Sequence, residues 1–108
     1  MDFAAISPAS QEAVRRALQY WVEHWDFECP TLFGIELEGL EQVLEHWPTV
    51  VSGADQTVAL ATLGALREML YGASSVPASQ VPAVIGLSYE QAHALCSEIH
   101  SIVKPVLS

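Results

Sequence analysis

From Gln56 to Tyr71 the chain is almost wholly apolar, with Val58, Ala59, Leu60, Ala61, Leu63, Ala65, Leu66, Met69 and Leu70 spread around every side of a helical wheel. A helix that is apolar around most of its circumference has no face to offer water, so it must be the buried centre of a bundle. That requirement constrains the rest of the chain, whose other segments must wrap this one with an apolar side each. Asp55 is the expected N-cap of the segment and Gly72 its expected C′ residue. Gly64, in mid-helix, costs about 1 kcal/mol relative to Ala, which points to a second helix crossing closely there.

The other segments have the one-sided patterns this demands. Ser7-Pro8 reads as an N-cap followed by proline at the first helical position. Val14, Leu18, Trp21 and Trp25 then mark one face of a helix running to about Trp25, with Glu12 and Arg16 paired on its outer side. Asp26 to Gly34 reads as a loop, because Pro30 cannot continue the helix. A second helix is expected over Ile35–Trp47, with Leu37, Leu40, Leu44 and Trp47 inside, ended by Pro48. Ala73 to Leu87 holds Pro77, Pro82, three serines and Gly86, and forms one long connector with room for a helical turn over Ala78–Val84. Ser88-Tyr89-Glu90-Gln91 is a capping-box start. Ala92, Leu95, Cys96, Ile99 and Val103 follow on one face, and the helix is expected to stop before Pro105. Strand character is confined to Thr49–Val51 and Val84–Ile85. The expected fold is all-α: one domain over residues 1–108, four main helices and one long Pro/Ser-containing connector. Leu18–Trp25 echoes Leu40–Trp47. Tryptophan packing at the end of a stripe, with histidine near a helix C-terminus, accounts for the echo without a duplication.

Composition limits the function. A chain of 108 residues that is 51% apolar and 16% charged can bury a real core, yet no apolar run reaches the roughly 20 residues of a membrane span. Met1-Asp2-Phe3 lacks the basic start of a secretory signal, so the expected location is the cytoplasm, with Cys29 and Cys96 as free thiols. The only bases are Arg15, Arg16, Arg67 and Lys104, too few to track the phosphate backbone of a nucleic acid or to dock on an anionic membrane, which argues against both as partners.

Charge is distributed unevenly. Between Ala17 and Leu66 there is no Lys or Arg, while eight carboxylates lie there: Glu23, Asp26, Glu28, Glu36, Glu38, Glu41, Glu45 and Asp55. The rest of the chain sets five acids against four bases. On the second expected helix Glu38, Glu41 and Glu45 share an outer face, with Glu36 close by, and like charges along a face are mildly destabilising. Such a row is either an ordinary solvated face or a surface kept for a basic partner. Asp55 is accounted for as a cap, and Trp21, Trp25 and Trp47 as core. The candidate partner-binding residues are therefore Glu23, Asp26, Glu28, Glu36, Glu38, Glu41 and Glu45.

Nothing in the sequence offers a competing chemistry. There is no G-x-S-x-G, no phosphate-cradling glycine loop, and no CxxC, HxxxH or HExxH. Glu90, His93 and His100 share roughly one helix face, a pattern more often of a polar face than of a metal site. No catalytic residue, metal or cofactor is expected, and the chain reads as a non-enzyme.

Small size, low pI, an all-helical pattern and the Trp- and carboxylate-rich segment Trp21–Trp47 together make the chain resemble the small acidic immunity proteins of bacterial toxin–immunity systems, including those of contact-dependent growth inhibition. The resemblance implies a protein that occludes the cleft of a cognate basic toxin domain, often one built for nucleic acid. Carboxylates would meet Lys and Arg, and Trp or Phe anchors would bury beside them. The free protein would be a monomer or weak dimer. The alternative is a helical homo-oligomeric adaptor whose self-interface is the apolar third expected helix or the tryptophans.

Overall fold

A computed structural model describes every residue from Met1 to Ser108. It contains helices α1 (Pro8–Glu23), α2 (Cys29–Phe33), α3 (Leu37–His46), α4 (Asp55–Tyr71), α5 (Val81–Ile85) and α6 (Tyr89–Leu107), with 3-10 turns at Phe3–Ala5 and Ala78–Gln80 and no strand. The all-α expectation is met, whereas the count of four main helices leaves out α2 and α5. Both begin with a proline in the first turn and end on a glycine in the left-handed region, Gly34 at φ 75° and Gly86 at φ 77°. The loop expected over Asp26–Gly34 and the long connector Ala73–Leu87 each contain one of them.

Local chemistry sets the helix ends. Ser7 caps α1 by accepting the Ser10 N–H at 3.1 Å, and Ser88 and Gln91 close the capping box of α6. α1 stops at Glu23, short of the expected Trp25, because Asp26 pulls the chain into a turn. Its Oδ1 accepts the Glu28 N–H at 2.9 Å and its carbonyl accepts the Cys29 N–H at 3.2 Å. Asp55 is not the cap of α4. It is the first helical residue after Ala54, where the helix dipole still favours its charge. Gly72 is extended (φ −76°) and not left-handed, and a side chain there would meet the Glu68 carbonyl at 2.8 Å. α6 runs through Pro105 to Leu107, since in the last exposed turn the missing N–H leaves only a carbonyl that water can serve.

α4 is the centre, as its composition demands: ten of its seventeen residues are buried. It packs against α1, α2, α3 and α6. What crosses at Gly64 is an aromatic ring and not a helix backbone; a Cβ there would lie 2.8 Å from Phe33 Cδ2. Thr62, the only buried polar side chain, donates to the Val58 carbonyl at 2.8 Å. Trp21 donates its indole N–H to the Ala65 carbonyl at 2.9 Å, and Trp47 to that of Gln11 at 2.8 Å. The tryptophans are thus scaffold, as expected. On α3 the innermost residues are Leu40 and Val43, with Leu37, Leu44 and Trp47 half-buried. One cluster of 27 buried residues joins all six helices, and the radius of gyration, 12.5 Å, matches the roughly 13 Å of a single compact chain of this length.

The chain also repeats itself, in a register different from the Leu18–Trp25 echo. Buried Ala13, Val14, Ala17, Leu18 and Trp21 of α1 have counterparts in buried Ala61, Thr62, Ala65, Leu66 and Met69 of α4. Cys29-Pro30 to Phe33-Gly34 corresponds to Val81-Pro82 to Ile85-Gly86, and the buried pair Leu40 and Val43 of α3 to Ala92 and Leu95 of α6. Contacts are reciprocal in part, although α3 packs on α4 where α6 scarcely touches α1. α1 packs on its own half's α3 and the other half's α5, and α4 on α6 and α2. Even the surface repeats. A groove of about 330 Å³ bounded by Gln42, Val43 and Thr57 has its counterpart, about 350 Å³, bounded by Ala94, Leu95 and Ala9. An approximate two-fold relation between the halves accounts for the matched part of this pattern. The sequence echo failed to show it because it matched the end of a first helix to the end of a third.

Candidate functional site

The seven candidate carboxylates are all exposed. Glu36 is the residue before α3, its side chain making no capping hydrogen bond, and Glu38 lies in the first turn. There the dipole favours both, while Glu45, near the C-terminal end, opposes it. Glu41 and Glu45, at i,i+4, repel each other directly. Glu23 is the last residue of α1, and Asp26 and Glu28 lie on the connector to α2. Two elements therefore carry the set, the outer side of α3 and the α1–α2 connector.

None of the seven is ion-paired. The ion pairs of the molecule lie elsewhere: Glu12 with Arg15 at 2.6 Å and Arg16 at 3.4 Å, and Arg67 with Glu68 at 3.6 Å. Arg15 thus takes the shorter share of the Glu12 pairing expected with Arg16. Asp26 differs from the other six because its Oδ1 is occupied by the Glu28 N–H, which makes it a builder of the connector as much as a charge on it.

The internal repeat gives a direct comparison. The positions of Glu36, Glu41 and Glu45 on α3 correspond to Ser88, His93 and Ser97 on α6, and that of Glu23 on α1 to Tyr71 on α4. Only Glu38 has an acidic counterpart, Glu90. The second half forms the corresponding helices with only one of these charges.

Sequence reasoning missed one feature here. Phe27, between Asp26 and Glu28, is 89% exposed, the most exposed large apolar side chain of the protein. Its neighbour Trp25 instead packs on Phe33, ring centroids 5.3 Å apart. The contact between Asp26 and Cys29 and the Glu28 turn fix the connector that presents Phe27. Periodicity cannot find such a residue, since it lies on no helix; the signal available was an aromatic flanked by acids on both sides.

Two of the histidines and both thiols are placed for structure. His24 and His46 each donate from Nδ1 to the carbonyl four residues earlier, at 2.7 and 2.9 Å. Cys29 and Cys96 are separate buried thiols, with burial pushing both up from the ordinary thiol range. No three His, Cys, Asp or Glu side chains are grouped to hold a metal ion. No helix is long and apolar enough to cross a membrane. Compared with protein-family models, curated proteins and solved structures, the chain matches none.

Proposed function

We propose that this chain is a non-enzymatic binding protein of the immunity type, acting in the cytoplasm, which neutralises a basic toxin domain that works on nucleic acid. The observation that carries this reading is the internal comparison. Three of the four Glu positions on and before α3 are Ser, His and Ser in the second half, so the scaffold has no need of carboxylates there. They are kept unpaired at a cost in self-repulsion, which a basic partner offsets.

The mechanism follows from the placement. Carboxylates on α3 would occupy the Lys and Arg positions that a nucleic-acid cleft reserves for phosphates, with desolvated carboxylate–guanidinium pairs giving specificity. Opposite charge raises the association rate by orders of magnitude, which suits an inhibitor that must act before damage is done. Phe27 supplies the apolar anchor beside the charges. The same residue counts against self-association as the function: a symmetric dimer through Phe27 would set Asp26 and Glu28 against their own copies.

The test is a pull-down from native lysate, followed by co-expression with the basic domain it recovers. A stable complex in which that domain's nuclease activity is lost is expected. A partner domain that stays active and separate in the presence of excess protein would overturn the reading.

A further inference from the structure

On the far half of the molecule, the groove between α4 and α6 inverts the chemistry of the acidic face. It measures about 520 Å³ and is lined by Arg67, Tyr71, His93, Ser97, His100 and Ser101 over a floor of Leu63 and Cys96. In a protein with thirteen acids and four bases, no carboxylate lines this groove. The repeat shows that this is a substitution of chemistry at shared positions. Tyr71, His93 and Ser97 stand where the first half has Glu23, Glu41 and Glu45, and Arg67 stands where it has Gln19.

The donors are free to serve a ligand. Arg67 stands beside Glu68, Nε to Oε2 at 3.6 Å, too long for a hydrogen bond, and its guanidinium N–H groups have no hydrogen-bond partner. Tyr71 Oη is hydrogen-bonded to His93 Nδ1. A phenol donates better than it accepts, and we assign it as the donor; the ring proton then sits on Nε2, facing away from Tyr71. Ser101 spends its own proton on the Ser97 carbonyl at 3.2 Å, but the Ser97 hydroxyl has no partner. The floor is apolar. Leu63 and Cys96 are buried, and burial keeps the Cys96 thiol protonated.

We propose that the α4–α6 groove is a binding site for a phosphate monoester carried on a small apolar or aromatic body. The oxyanion would sit on Arg67, His93 Nε2 and Ser97, and the body on Leu63 and Cys96. A volume of about 520 Å³ suits a small ligand. His100 adds a ring N–H donor on the same side, with Lys104 one turn further along α6. Tyr71 is a positioning residue that holds the His93 ring and its tautomer. The site is independent of the acidic face, and either could exist without the other.

The experiment is a two-dimensional amide NMR titration of the whole chain with phenyl phosphate, inorganic phosphate and phenol. Saturable shifts at Arg67, His93, Ser97 and His100 are expected, tighter for phenyl phosphate than for inorganic phosphate and absent with phenol. Arg67→Gln, at an exposed position, should keep the spectrum dispersed and weaken binding about tenfold, the loss of one charged hydrogen bond. Tyr71→Phe should weaken it less and change the tautomer read from the His93 imidazole nitrogens, which a merely structural role would leave alone. Absence of saturation at millimolar phenyl phosphate overturns the proposal, as does binding that survives Arg67→Gln. Shifts at the same residues that grow with protein concentration alone would also overturn it, showing that the groove takes an acidic protein surface of a second copy.

Discussion

Gly64 shows how one residue type can be right for a reason the sequence states only in part. A glycine in the middle of α4 sacrifices helix propensity, and the structure returns it by seating the Phe33 ring where a Cβ would be. Phe33 cannot swing aside, because it packs against Trp21 at 5.5 Å and Trp25 at 5.3 Å between centroids. Gly64→Ala should therefore lose about 1 kcal/mol in urea unfolding, overpacking exceeding the propensity gain. Combining it with Phe33→Leu should give less than the sum of the two single losses, since the larger change removes the clash. Glu12 offers a second residue-scale check. The Arg15 hydrogen bonds hold its carboxyl down at about 2, from an ordinary 4.5. A depressed acid stabilises the fold above its unfolded value and loses that contribution as pH falls from about 4.5 towards 2. Because the group is fully exposed, the expected readout is its NMR titration midpoint and not overall stability: Arg15→Gln should return the midpoint towards the ordinary carboxylate range.

At the scale of elements, α1, α4 and α6 were legible in the sequence because each is long and has a capping or periodic signal. α3 was legible too, with its ends displaced by a residue or two. Helix α2 was not, and α5 was legible only as the helical turn expected over Ala78–Val84, which the structure divides into a 3-10 turn and a helix ending at Ile85. Pro30 reads as a breaker and Pro82 as a residue of the connector, yet each stands in the first turn of a five-residue helix, where a missing N–H costs nothing. A segment this short offers too few turns to establish a period, and its meaning comes from the large side chain it carries inward, Phe33 or Ile85. The two closing glycines are the hinge of that motif. Gly34→Ala and Gly86→Ala each place a Cβ at φ near +75°, and each should cost about 1–2 kcal/mol in chemical unfolding. The two should cost about the same, because the Arg16 Nη1 that would stand 3.3 Å from a Gly86 Cβ is the exposed end of a flexible side chain and can move aside. If both replacements proved neutral, the repeat would not depend on the turn the structure gives it.

The whole molecule carries a net charge of −9 with its acidic row unpaired. Self-repulsion of this kind is long-range and screened by salt. The melting temperature should rise between about 0.01 M and about 1 M sodium chloride, over which the Debye length falls from ~30 Å to ~3 Å. Glu38→Gln, Glu41→Gln and Glu45→Gln together should raise it at low salt and reduce that dependence. A fall in stability on this neutralisation would mean that the carboxylates serve the fold. How the sequence presents the acidic face reflects the same division. The Glu row on α3 was readable from spacing and the missing bases, because exposed charge follows the helix period. Phe27 was readable only as an aromatic between two acids, its exposure being set by the turn, and the α4–α6 groove was not readable, because it is assembled from residues of two separate helices.

The most direct test of the acidic face reverses it. Glu38→Lys, Glu41→Lys and Glu45→Lys in one chain should leave the helical circular dichroism spectrum unchanged, since all three side chains are exposed. The native protein should retain a basic partner at low salt and release it as salt rises, while the reversed protein retains none. Equal retention of that partner by both proteins would contradict the central claim.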